Sequence, residues 1–208
     1  MNFIHPMNGK KKNKSLRKAR YILYKETLIN TEEHFWAFLG SFIGIGIIAY
    51  LQSQTLPKSD VIYLIGSFGA SSVLVYGVIQ SPLAQPRNLI GGHLVSAIIG
   101  VTIQKTAPDV LWITAPLAVS LSIVLMQITK TLHPPGGATA LIAVTGSAEL
   151  KNLGYWYVVS PVLLGTLILL IVALFFNNIT SNRQYPINKK FTEIRKKIPF
   201  FPKYQNNK

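Results

Sequence analysis

Apolar residues in this chain gather into six blocks with short polar stretches between them. Each block approaches the roughly 20 residues that carry a helix across a bilayer core. The blocks cover 35–51, 61–79, 88–104, 110–129, 133–147 and 153–176. The first runs from the polar Glu32-Glu33-His34 to Gln52-Ser53-Gln54, and the second is entered past Pro57, Lys58 and Asp60. Two blocks are irregular. The second is interrupted by Gly66-Ser67-Phe68-Gly69, and the fifth is short and opens on His133-Pro134-Pro135-Gly136-Gly137. The pattern predicts an all-α fold, a polytopic helical membrane protein with broken or short middle helices.

Composition sharpens this. Only 13% of the 208 residues are charged, yet the formal net charge is +14, from 21 Lys+Arg against 7 Asp+Glu. A soluble domain carries about 25% charged residues. Between Phe35 and Asn177 the basic residues are Lys58, Arg87, Lys105, Lys130 and Lys151, and the acids are Asp60, Asp109 and Glu149. The remaining basic residues lie in two tails. This excludes an ordinary soluble domain and a disordered chain, and the absence of cysteine excludes a disulfide-stapled one. The run Lys10-Lys11-Lys12, Lys14, Arg17, Lys18, Arg20 invites a nucleic-acid reading. However, it precedes the first block, and Lys189, Lys190, Arg195, Lys196 and Lys197 follow the last. Flanking charge of that kind holds helix ends at a cytoplasmic, anionic membrane surface. The expected partner is the lipid bilayer, with no nucleic acid.

The expected organisation is a basic cytoplasmic tail over 1–34, a transmembrane domain over 35–176 and a second basic cytoplasmic tail over 177–208. No short apolar core with a cleavage site marks a signal peptide. Two inside tails demand an even number of crossings, and the positive-inside rule favours six over four, because six place Arg87 and Lys130 inside. The expected location is a bacterial cytoplasmic (inner) membrane.

Gly69-Ala70-Ser71-Ser72-Val73-Leu74-Val75 resembles Gly137-Ala138-Thr139-Ala140-Leu141-Ile142-Ala143, 68 residues later. Each run sits in the middle element of a three-segment half, 35–104 or 110–176. Three crossings per half make the repeat inverted, an architecture shared by many transporters, whose sites lie at matching broken helices. Pro134 and Pro135 suit the first turn of a helix, where a missing N–H costs nothing. Free N–H groups of Gly136, Gly137 and Ala138 would then face His133, and Gly69, Ala70 and Ser71 would offer the same from the other half. Helix N-termini attract anions. The predicted spans lack Asp, Glu, Lys and Arg, which speaks against a cation pump.

His133-Pro134-Pro135-Gly136-Gly137-Ala138-Thr139-Ala140-Leu141 resembles the signature of the HPP family of integral membrane proteins. Ser81-Pro82-Leu83-Ala84-Gln85-Pro86-Arg87-Asn88 with Ile90-Gly91-Gly92-His93 resembles its second motif, and Gly69-Ala70-Ser71 a third. The resemblance covers about 35–176. It implies four membrane spans, against the six read here, and a transporter or channel. Members in cyanobacteria and chloroplasts are implicated in nitrite transport, so nitrite becomes the leading substrate.

The candidate substrate-binding residues are His133, Pro134, Pro135, Gly136, Gly137, Ala138, Thr139, Gly69, Ala70, Ser71, Ser72, Arg87, Asn88 and His93. His133 would hydrogen-bond the anion or carry a proton, since histidine ionises near neutral pH. Its alternative is fixing the Pro-Pro turn by bonding a carbonyl. The alternative for His93 is a satisfied helix–helix contact. Arg87 would gather anions at the mouth or mark the inner side, with Gln85 and Asn88 bonding or capping nearby. Gly92, Ser96 and Gly100, four apart, read as a close-packing stripe, as do Gly40 and Gly44. Such faces also suit a homo-oligomer. Trp36, Trp112, Tyr155, Trp156 and Tyr157 read as interfacial anchors. Two histidines without Cys or a nearby carboxylate make no metal site. No cofactor is expected, nor an enzyme, since no Ser-His-Asp set is visible. The expected function is a transporter or channel for a small inorganic anion, held by the two broken middle segments and His133. The competing readings are a neutral-solute permease and a membrane scaffold.

Overall fold

The computed structural model of this chain describes residues 31–204, without the Lys189 side chain. The basic run before Arg20 lies outside the described residues. Two compact units are distinguished, Met1–Phe35 and Trp36–Lys208, and every site residue belongs to the second. The described residues are helical, with no strand among them. The α-helices are α1 (Thr31–Ser53), α2 (Lys58–Ser72), α3 (Pro86–Thr106), α4 (Leu111–Ile128), α5 (Pro134–Thr145), α6 (Ala148–Asn152), α7 (Leu164–Phe176) and α8 (Lys189–Lys196). A π-helical turn over Val73–Gly77 continues α2, and another over Val158–Leu163, bent at Ser160, leads into α7.

Five of these stretches are long and apolar enough to span a membrane: Thr31–Ser53, Lys58–Gly77, Pro86–Thr106, Leu111–Ile128 and Val158–Phe176. They match five of the six expected blocks to within a few residues. The sixth, α5, has 12 residues and rises only about 18 Å. Its shortness was legible in the sequence. Large apolar side chains face outward along the spans, among them Phe38, Phe42, Ile62, Val73, Trp112 and Ile171. That surface is stable against lipid tails and costly in water.

Small residues set the packing. A Cβ at Gly100 would come within 2.6 Å of the Ala140 carbonyl, and one at Gly136 within 2.8 Å of Ser96 Oγ. The α3 stripe therefore brings α5 against it backbone to backbone. Gly40 and Gly44 on α1 instead make room for a side chain, since an added Cβ would sit 2.9 Å and 2.7 Å from the Tyr76 ring and hydroxyl. Phe68, Leu89, Ala97, Leu169 and Ala173 fill the main core among α2, α3 and α7, while Ile103, Ala118, Ala140 and Val144 form a smaller one among α3, α4 and α5.

Three expectations need correcting. Gly66-Ser67-Phe68-Gly69 does not interrupt the second segment, since α2 runs through it unbroken and its irregular turn comes later. A membrane helix keeps its backbone bonds through glycine because no water competes for them. Asp60 lies inside α2, fully buried, so the spans are not free of carboxylates. The two repeat runs occupy unlike places: Gly69 falls late in α2 and Gly137 in the first turn of α5. The inverted repeat gains no support from them.

The segment after Phe176 is folded. Arg195 donates to the carbonyls of Arg183, Asn178 and Thr180, and Arg183 to the Tyr76 carbonyl and Asn177 Oδ1. Tyr185 is buried and donates to the Ala84 carbonyl at 2.7 Å. Burial raises its phenol above the usual value, which keeps it a donor.

Candidate functional site

Where α2, α3 and α5 meet, five polar side chains are buried together: Ser67, Ser71, His93, His133 and Thr139. Their spacing explains the meeting. Ser67 and Ser71 are four apart on α2 and so share one face. His93 sits beside the small-residue stripe of α3, and Thr139 lies in the second turn of α5. His133 is the last extended residue before α5, at φ −143° and ψ 104°, with Pro134 and Pro135 opening the helix as expected. The carbonyl of His133 takes the Gly136 N–H at 2.8 Å.

The bonds form one connected set. Ser71 Oγ lies 2.7 Å from His93 Nε2 and 2.9 Å from His133 Nε2. His93 Nδ1 lies 2.7 Å from Thr139 Oγ1, which is 3.0 Å from Ser67 Oγ. Ser67 also donates to the Pro135 carbonyl, and His133 Nδ1 reaches the Leu83 carbonyl at 2.8 Å. The Tyr157 hydroxyl donates to the Thr139 carbonyl at 2.9 Å. The two imidazole rings stand 5.0 Å apart, and Phe68 lies against His93.

Not every candidate joins this cluster. Ser72 is buried nearby on α2, but its Oγ has no hydrogen-bond partner. Ala70 is exposed and Gly69 half-buried, on the outer side of a helix interior whose N–H groups are already bonded. The expected second helix N-terminus is therefore absent at 69–71. At 136–138 the Gly136 N–H is already taken by the His133 carbonyl, a Cβ added to Gly137 would meet only Val119, at 3.8 Å, and Ala138 is half-buried. Arg87 donates to the Thr129 carbonyl and Asn88 to the Leu132 carbonyl, both at 2.7 Å. Arg87 thus holds the end of α4, and Asn88 ties down the non-helical lead into α5, whose backbone has no helical partners there.

Sequence reading missed Ser67, Tyr157 and Asp60. The Ser67–Ser71 spacing was a usable signal. Tyr157, read as an interfacial anchor, is instead buried, whereas Trp112, Tyr155 and Trp156 are exposed as anchors should be. Asp60 accepts from the Ser147 N–H at 3.0 Å and from its hydroxyl at 2.5 Å, joining the start of α2 to the end of α5. Among the described residues no group of three His, Cys, Asp or Glu is placed to hold a metal. A pocket of about 140 Å³ between α1 and α7, lined by Gln52, Thr55 and Ser160, and one of about 150 Å³ at Gln104, Asp109 and Lys151 lie away from both histidines.

Long outward-apolar helices around a buried polar cluster define a polytopic helical membrane protein. Residues 26–186 match the model of the family described as HPP, transmembrane region, and the chain belongs to that family. Two curated relatives from Dictyostelium discoideum, each named only as a transmembrane protein, are 47% and 46% identical to it over 159 residues. The match covers 75% of this chain in both cases, and 51% and 55% of the relatives. The chain thus spans about half the length of the curated relatives it matches. They come from Dictyostelium rather than a bacterium and lend no support to a bacterial inner membrane. No solved structure matches the chain.

Proposed function

We propose that this protein is a membrane transporter or channel for a small inorganic anion, with nitrite the leading substrate. One observation carries the reading: five hydrogen-bonding side chains from α2, α3, α5 and the residue before α5 are buried in one connected cluster. Polar groups inside a membrane are costly and usually mark a solute or ion path. The cluster offers donors of low net charge, which suits a small anion that must also leave. The arrangement is closed, since both histidines are fully buried. The lead into α5 is the natural moving part, because Asn88 and the Leu83 carbonyl hold it by single hydrogen bonds.

Ser71 beside His93 has the outline of a nucleophile and base. Behind His93, however, stands the Thr139 hydroxyl instead of an orienting carboxylate. We read the protein as no enzyme. Both chain ends lie on the cytoplasmic side in this proposal, with basic residues flanking the first and last spans.

The test is solute flux into proteoliposomes with nitrite, nitrate, formate, chloride and a neutral solute. Saturable nitrite flux that His133→Ala abolishes is the expected result. No flux of any small anion from folded protein would return the search to a neutral solute or a scaffold.

A further inference from the structure

The hydrogens of the cluster can be assigned from chemistry alone. A carbonyl only accepts, so His133 Nδ1 carries a hydrogen toward Leu83. Neutral His133 then presents a bare Nε2, which takes the single Ser71 hydroxyl hydrogen. Ser71 Oγ, its hydrogen used, accepts from His93 Nε2–H. His93 Nδ1 is then bare and accepts from Thr139, while the one hydrogen of Ser67 stays on the Pro135 carbonyl. From Thr139 through His93 and Ser71 to His133 each hydrogen is used once, and all point toward Leu83.

One added proton fits this set at two places. On His133, both ring nitrogens donate, Ser71 turns its hydrogen to His93 Nε2, and His93 donates from Nδ1 to Thr139. On His93, both of its nitrogens donate and the Ser71 hydrogen points to His133. The two states keep the bonds between the histidines and Ser71. They interconvert when His133 Nε2–H gives its proton to Ser71 Oγ while the hydroxyl gives its own to His93 Nε2. One N–H bond breaks and one forms.

The geometry points to a proton relay: Ser71 passes one excess proton between His133 and His93, and the cluster binds a small anion together with that proton. The inference rests on the transport reading. A buried imidazolium needs a counter-charge. Among the described residues no carboxylate bonds to either ring. The titratable and charged groups on the surrounding elements are engaged elsewhere. Asp60 on α2 is held by Ser147, Tyr157 before α7 by the Thr139 carbonyl, Arg87 on α3 by Thr129, and Tyr185 beside the 82–84 turn by Ala84. Lys130, in the link from α4, is exposed. An entering anion therefore supplies the missing charge, and by reciprocity each of anion and proton favours the other's binding.

The experiment titrates nitrite into the full chain in lipid nanodiscs, in weakly buffered solution containing a pH indicator, beside nitrite flux into proteoliposomes. The expected result is close to one proton taken up per nitrite bound near pH 7.5. Affinity then rises about tenfold per unit fall in pH over that range, as single-proton linkage requires. Ser71→Ala and His133→Gln, each checked for folding by thermal melting, lose the proton uptake, and Ser71→Thr, which keeps the hydroxyl, restores it. Nitrite binding without proton uptake overturns the relay and leaves the transport reading standing. Uptake that persists in Ser71→Ala overturns the role of Ser71. Neither binding nor flux of nitrite in the folded wild type overturns both.

Discussion

Gly92 and His133 meet so closely that a Cβ added to the glycine would lie 2.4 Å from the Cβ of the histidine and 2.9 Å from the Thr131 carbonyl. The histidine can be buried beside α3 because this glycine leaves room for its backbone. Gly92→Ala should destabilise the protein by about 1–3 kcal/mol, the usual cost of forcing atoms into a filled core. Gly137→Ala, whose added Cβ would sit 3.8 Å from Val119, should be neutral or stabilise by up to about 1 kcal/mol, since alanine is the better helix former. Thermal melts in one detergent would compare them, and equal losses would contradict this packing.

Thr139→Val keeps shape but removes the hydroxyl between His93 and Ser67. A buried ring nitrogen then has no partner, which costs about 1–3 kcal/mol. Nitrite flux should fall along with stability. A variant that melts normally and transports at the wild-type rate would remove Thr139 from the site.

Asp60 closes the opposite end of the α2–α5 pair through its two bonds to Ser147. Asp60→Ala should destabilise by about 2–3 kcal/mol, because charge-assisted bonds are the stronger kind. Asp60→Asn, which keeps one acceptor, should lose roughly half as much on the same scale. Chemical denaturation in mixed micelles reads the difference.

Arg195 satisfies three carbonyls beyond α7, and Tyr185 a fourth at Ala84. Arg195→Ala should release the C-terminal segment to protease while leaving the helices before it intact. Tyr185→Phe should cost about 1 kcal/mol and speed hydrogen exchange chiefly over 81–85 and 178–187. Unchanged exchange there would show that the phenol does not hold the segment.

Block lengths revealed the helices because lipid imposes length and polarity together. They could not reveal what Gly66 and Gly69 do. In water such residues break helices, whereas in a membrane the unbroken ladder is the only stable backbone, so α2 continues through them. His133 and the Pro-Pro turn were readable because proline fixes a helix start. Ser67 was not singled out, since a lone serine in an apolar run usually bonds its own backbone; only contact with α5 gives it a partner. Arg87 and Asn88 looked like anion ligands because sequence shows charge but not the unpaired carbonyls of 129 and 132 that they serve. Arg195 looked like charge flanking the last span at the membrane surface, because sequence does not show the carbonyls of 178, 180 and 183 that bury it.

The 12 residues of α5 rise about 18 Å, some 12 Å less than an average hydrocarbon core. The three non-helical residues 131–133, which follow the turn at Lys130, cover about 10 Å of that remainder if extended. A segment so divided is poorly matched to thick lipid. Bilayer thickness therefore becomes a force on this protein, since longer acyl chains strain an element whose entry is held by side-chain bonds to its backbone, and shorter chains relieve it.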